Sequence, residues 1–358
     1  MEKLACLIVA RNLGDAVIQS AFLKKLVDSR YAENYIAWVR PQVAFLFSDI
    51  PNCKIICSQF PVGTTKDFGW KNALGFLKAA QKIRILKPSV TMDLIGDFRE
   101  RGFAWLLSAS KHKHIGWAGN HPFNLIIRNP FGRGNPVFVV PESCDNIYSS
   151  YGLMLDFLSS GKEKSILSKI KASPNEQLKI GMHPFASQRC RLWPEQDWLA
   201  LAQDLIRDGH CLTVFGAGVE QQALERIFAP VLSHVEVYTR SLSEFTSKVK
   251  ELDLLIGLDS FGVHMGQRQG IRTILINAGS NPAVWTPPST QLLARSGGCV
   301  HYPCNNVPKC EGTLGEFICI RSVRPDEVAA IVKVITSKIT FSNDDVFWVI
   351  LLEAAQTV

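Results

Sequence analysis

Short continuous apolar runs recur along the chain, each followed by a longer amphipathic stretch, and the whole series occurs twice. In the first half the runs are Leu4–Ala10, Tyr35–Val39, Lys54–Cys57, Val90–Leu94 and Val137–Val140. The second half has Leu178–His183, Cys211–Phe215, Val235–Tyr238, Leu254–Leu258 and Thr273–Ile276. Helical spacing fills the intervals at Ala16–Leu26, Trp70–Ile85, Gln196–Asp208 and Val219–Phe228. Strands that are apolar on both faces belong in parallel sheets covered by helices, since a crossover helix is what returns the chain to begin each parallel strand. The expected fold is therefore α/β, with two doubly wound domains. Their join is expected within 160–177, where Gly, Ser, Lys and Pro174 collect and the apolar period is lost. This predicts an N-terminal domain over 1–172 and a C-terminal domain over 173–340. A final apolar-rich helix is expected within 341–358, with the N-terminal domain as its candidate packing surface.

Composition narrows the client. At 358 residues, 47% hydrophobic and 20% charged, the chain has core enough for two domains and is not a disordered protein. The net charge of +7 is unevenly placed: residues 1–172 carry +10 and residues 173–358 carry −3. The front half should attract something anionic. Nucleic acid is a poor candidate, because there is no basic helix, zinc-finger spacing or interleaved stacking aromatics. Only seven apolar residues, Leu4 to Ala10, precede Arg11, too few for a secretory signal core, and no run approaches a membrane span. A cytoplasmic protein with mostly reduced thiols is expected from its ten cysteines.

Three strand-to-helix junctions carry chemistry. The first strand runs into Gly14-Asp15, which places a carboxylate at a strand end, as a helix cap or as a reactive group. The loop Pro184–Trp193 brings Ser187 and Arg191 toward a helix expected to have Pro194 in its first turn, a combination suited to phosphate. Gly216 and Gly218 close the next strand and allow close approach of backbone to a nucleotide. The run Leu254–Leu258 then delivers Asp259, Ser260, Gly262 and His264 to a strand end and helix start. No G-x-G-x-x-G fingerprint is present, which disfavours an NAD-dependent oxidoreductase.

In this order and spacing, Gly14-Asp15, the Pro184–Pro194 loop, Gly216/Gly218 and Asp259–His264 resemble glycosyltransferase family 9, the ADP-heptose:lipopolysaccharide heptosyltransferases. The resemblance extends over roughly residues 4 to 335. It implies the GT-B fold, two Rossmann-like domains facing an interdomain cleft, and inverting transfer of heptose from ADP-heptose to a lipopolysaccharide inner core, with no cofactor required. On it, Asp15 matches the general base, Arg191 a basic residue that steadies the donor diphosphate, and Asp259, Ser260 and His264 the donor-phosphate loop. This chain differs in having Phe185 where the family usually has Gly, and Phe261-Gly262 where it usually has Gly-Pro.

Two features remain. Arg99, Arg101, Lys111 and Lys113 read either as a solvated charged turn or as a basic rim facing an anionic lipopolysaccharide-core acceptor, consistent with peripheral contact at the inner face of the cytoplasmic membrane. Cys299, Cys304, Cys310 and Cys319 fall within 21 residues without a C-x-x-C pair. Family members often carry such a cluster, and the autotransporter heptosyltransferases bind iron through one. Here a structural Zn or Fe stands against reduced thiols or a local disulfide. The other six cysteines read as core. The alternatives to heptosyl transfer are a different nucleotide sugar or a protein acceptor, or a sugar-nucleotide binder without turnover.

Overall fold

The computed structural model describes residues 2–10, 13–61, 69–95, 98–107, 113–118, 137–139, 144–161, 165–166 and 177–336. The expected C-terminal helix within 341–358 and Lys111 lie outside the described residues. The chain divides into two compact units, Met1–Leu167 and Ser168–Val358.

The first unit contains β1 (Glu2–Val9), α1 (Leu13–Asp28), β2 (Ala32–Val39), β3 (Cys53–Cys57), α2 (Trp70–Leu86), β4 (Val90–Asp93), α3 (Phe98–Leu107), β5 (Lys113–Ala118), β6 (Val137–Val139) and α4 (Ile147–Ser159). Its six strands are parallel in the order β3-β2-β1-β4-β5-β6. On one face Cys6, Ile8, Ile36 and Ile56 pack with Phe76 and Ile83 of α2 and Phe103 of α3. Trp38 is the centre of this layer, stacked on Phe76 with ring centroids 5.0 Å apart, and its indole N–H donates to Ser58 Oγ at 2.8 Å. α1 is buried over most of its surface, which explains why its sequence carries so little polar pattern. It meets α4 through an edge-to-face contact of Phe22 with Tyr151.

The second unit contains β7 (Lys179–His183), α5 (Glu195–Arg207), β8 (Cys211–Phe215), α6 (Gln221–Ile227), β9 (Val235–Tyr238), α7 (Leu242–Val249), β10 (Leu254–Leu258), α8 (Phe261–Arg268), β11 (Arg272–Asn277), α9 (Pro282–Trp285), β12 (Thr290–Ala294), α10 (Ile318–Arg321) and α11 (Pro325–Thr336). Its sheet, also parallel, runs β12-β11-β10-β7-β8-β9. Counted from its own first strand, that order equals the first unit's. Each sheet therefore reverses direction beside its first strand, between β1 and β4 and between β7 and β10. Ligands of open α/β sheets bind at such reversals, beyond the carboxyl ends of the strands.

Two strands differ from the sequence expectation. β12 is a half-buried edge strand without a continuous apolar run. β5 begins at Lys113, within the segment expected as a charged turn. His114 belongs there because its ring bridges two side chains of the adjacent strand, Thr91 Oγ1 at 2.9 Å and Asp93 Oδ2 at 2.8 Å. It is part of a polar ladder on the sheet, so it does not extend a solvated rim. Pro194 also moves, from the expected first turn to the N-cap of α5. Among the described residues no helix is long and apolar enough to cross a membrane.

Candidate functional site

In the first unit, Asp15 stands in the first turn of α1, half-buried, just beyond the end of β1. A helix N-terminus suits a negative charge, because its first N–H groups have no partners within the helix. Its neighbour is Tyr151, a buried side chain whose hydroxyl donates to the Leu94 carbonyl at 2.8 Å. Burial, reinforced by the fields of Asp15, Glu100 and Asp93, holds that phenol protonated far above its ordinary range. No local pattern points to Tyr151, which lies 136 positions downstream of Asp15. Of the expected acceptor residues, Arg99 is exposed on α3 and Arg101 lies on the same helix, while Lys113 starts β5. The side chains of Arg101 and Lys113 lie outside what is described.

In the second unit, the ends of β7 and β10 meet at the reversal. Gly257 lies opposite His183 in the register of β10 on β7, so Asp259 and Ser260 emerge beside His183-Pro184. Gly262 permits this closeness: a Cβ there would stand 3.0 Å from His183 Cγ. Ser260 occupies the N-cap of α8, but its side chain makes no capping bond; its Oγ lies 3.3 Å from His183 Nδ1. Burial pushes the His183 imidazole down to about 4, so it is a neutral hydrogen-bonding group at pH 7. His183, the last residue of β7, is the main site residue absent from the sequence expectations, since a strand end alone implies no role.

Asp259 is almost wholly buried. Burial works to raise its pKa, but contact with His264, the charge of Arg191 and Ser280 outweigh it and hold the carboxyl below its ordinary value. His264 Nε2 lies 3.6 Å from Asp259 Oδ1, and the ring is buried. His264 thus stands beside the Asp259 carboxylate at the start of α8. Arg191 is likewise held by partners within the unit. Its Nη1 donates to the Asp259 carbonyl at 2.6 Å and lies 3.4 Å from Asp259 Oδ2, while Nε donates to Asn306 Oδ1 at 2.6 Å. The guanidinium ties three segments distant in sequence into one wall.

The glycine turn after β8 is less available to phosphate than its sequence suggests. The Gly216 N–H donates to Tyr238 O at 3.2 Å, and the Ala217 N–H donates to Glu220 Oε2 at 2.6 Å. Gly218 begins a short 3-10 turn. Ser187 is exposed. The two unusual phenylalanines pack against protein: a Cβ on Gly216 would stand 3.0 Å from Phe185 Cε2, and the Phe261 ring lies 5.3 Å from that of Phe245. Ser260 and the open first turn of α8 remain the groups best suited to an anion.

The cysteine segment backs this wall. Arg189 binds Glu311 at 2.7 Å, and Arg191 holds Asn306. Cys190 packs so closely on Gly279 that a Cβ there would stand 2.9 Å from its Sγ, and Gly279 has a φ of +77° that favours glycine. Burial, with the nearby Cys304, pushes the Cys190 thiol up to about 11. Burial likewise raises Cys319, with Cys299, Cys304 and Cys310 adding to it. Cys190 therefore joins the four clustered cysteines as a fifth, whereas Cys57 and Cys211, expected in the core, are exposed. A metal needs thiolates in close array. Burial favours the protonated form of Cys190 and Cys319, and among the described residues no three His, Cys, Asp or Glu side chains come together to hold an ion. Protein purified without affinity metal should carry well below one zinc or iron per chain by elemental analysis, with these cysteines titrating as free thiols in denaturant. Stoichiometric metal would show that the segment rearranges into a ligand set.

Two successive parallel sheets of Rossmann order make this an α/β chain of the GT-B fold. Residues 152–313 match the family model of glycosyltransferase family 9 (heptosyltransferase). Solved structures agree on the fold. A family 9 glycosyl transferase from Veillonella parvula is 16% identical, with a TM-score of 0.71 over 94% of this chain and 98% of the other. The E. coli heptosyltransferase WaaC with ADP is 13% identical, with a TM-score of 0.70 over 92% and 99%. The iron-containing dodecameric glycosyltransferase TibC from enterotoxigenic E. coli is 13% identical, with a TM-score of 0.54 over 95% and 77%. No curated protein matches the sequence.

Proposed function

We propose that the chain is an inverting glycosyltransferase that moves heptose from ADP-heptose to an anionic lipopolysaccharide inner-core acceptor. The observation that carries the donor half is the second unit's wall, where Arg191, Asp259 and Ser260 meet at the helix start beyond β10. An inverting transfer needs a base that removes the acceptor proton as its oxygen attacks the anomeric carbon. It also needs fixed donors that stabilise the departing diphosphate. The first unit supplies the base, Asp15. The second supplies Ser260, the α8 N–H groups and the Arg191 guanidinium. The +10 charge of the front half, with Arg99, Arg101, Lys111 and Lys113 within it, suits an anionic acceptor. Asp15 also distinguishes a transferase from a pure binder, which has no use for a base.

The deciding measurement is thermal stabilisation by a panel of ADP-, UDP- and GDP-sugars. ADP-heptose should stabilise the protein most, by about 2.7 kcal/mol at a concentration a hundred times its Kd. A preference for a UDP- or GDP-sugar would leave a transferase with another donor. Tight binding with no turnover on any acceptor tested would leave a binding protein.

A further inference from the structure

Helix α2 sends apolar side chains in two directions. Phe76, Ala79, Ala80 and Ile83 pack into the core of the first unit. On the other side Trp70 is 78% exposed, Leu74 41%, Leu77 53% and Ile85 69%. At about 100° per residue these four occupy an arc of roughly 80° on the side away from the buried stripe. Exposed Lys71, Lys78 and Lys82 line one flank of that arc and Arg84 the other. Residues 70–87 hold five Lys or Arg and no Asp or Glu. Among the described residues no acid pairs with Lys71, Lys78, Lys82 or Arg84. On the adjacent α3, Trp105 is exposed as well.

An outward apolar stripe flanked by three exposed lysines on one side and Arg84 on the other has one well-matched surface. We propose that α2 docks the protein on an anionic phospholipid bilayer, lying in the interface with Trp70, Leu74, Leu77 and Ile85 at the acyl boundary. The lysines and Arg84 reach phosphate headgroups from either flank, because their long aliphatic stems let the charges stay in the polar layer. Tryptophan at the edge of the stripe fits the interfacial preference of its ring. A second copy of the chain is a poorer occupant: pairing α2 with itself would set five cations against the same five. The docking rests on this helix alone and is independent of the proposed reaction.

Vesicle flotation of the full chain tests it. Vesicles of phosphatidylcholine mixed with phosphatidylglycerol should retain the protein at least about tenfold better than phosphatidylcholine alone, each cation near the surface contributing appreciably. Lys71→Glu/Lys78→Glu/Lys82→Glu should abolish that preference, and Trp70→Ser/Leu74→Ser/Ile85→Ser should lower partitioning about tenfold or more on the mixed vesicles. Both variants should keep the parent circular dichroism and nucleotide affinity, which shows that they fold. Folded variants that float like the parent, or a parent indifferent to lipid charge, would overturn the proposal. So would a concentration-dependent dimer that these substitutions dissolve, which would assign the face to a second copy.

Discussion

Asp15→Ala should lower kcat by about 10²–10⁴ while leaving donor affinity nearly unchanged. The asymmetry follows from the division of labour proposed between the units. The donor diphosphate is assigned to groups of the second unit, whereas Asp15 belongs to the first turn of α1. Removing the carboxylate deprives the attacking hydroxyl of its proton acceptor at the one moment when its charge develops, so the loss appears in turnover. Asp15→Asn is the sharper comparison, because it keeps a side chain that can bond the helix's first N–H groups and removes only the basicity. Both variants should lose comparable activity if Asp15 is a base. If Asn restores turnover, Asp15 acts only as a helix-terminal group. Loss of favourable charge at the helix start should cost about 0.3–1 kcal/mol of stability, a separable effect readable by thermal unfolding.

Arg191→Ala should weaken binding of ADP or an ADP-sugar by about 1.5–3 kcal/mol, roughly ten- to 150-fold in Kd, the size of a lost charge-assisted hydrogen bond. The structure adds a second consequence. Arg191 holds the Asp259 carbonyl and stands beside a nearly buried carboxylate, so its removal leaves that charge with His264 and Ser280 alone. Stability should fall with affinity. Arg191→Lys keeps the positive charge, but a single ammonium cannot span Asp259 and Asn306 together as the planar guanidinium does. It should recover only part of the affinity. An Arg191→Ala variant that unfolds earlier yet binds nucleotide normally would make Arg191 a brace with no share in the donor site.

The two predictions differ in how much of their basis was visible before folding. Gly14-Asp15 follows an apolar strand and precedes a helix, so its place at a strand end is a local matter that periodicity reveals. The same holds for Asp259 and Ser260 after Leu254–Leu258. Arg191 is another case. Its sequence shows a basic loop ahead of Trp193-Pro194, which equally fits a free cation awaiting phosphate. Only the pairing of β10 with β7 and the return of 299–320 behind the loop bring Asp259 and Asn306 to its guanidinium. His264 repeats the lesson: five positions beyond Asp259, on the helix that follows it, its ring lies back beside that carboxylate.

Spacing along the chain accounts for the α/β class, the strands that are apolar on both faces, and the strand-to-helix junctions. Burial of a continuous apolar run leaves few other solutions. Tertiary structure alone decided which polar groups at those junctions remain available. It turned His114 inward to Asp93, occupied the Gly216 and Ala217 N–H groups, packed Phe185 and Phe261 against protein, and brought Cys190 to the later cysteines. A buried polar group must find a partner wherever the fold supplies one, and apart from Glu220 those partners lie 16 to more than 100 positions away, where no local pattern can announce them.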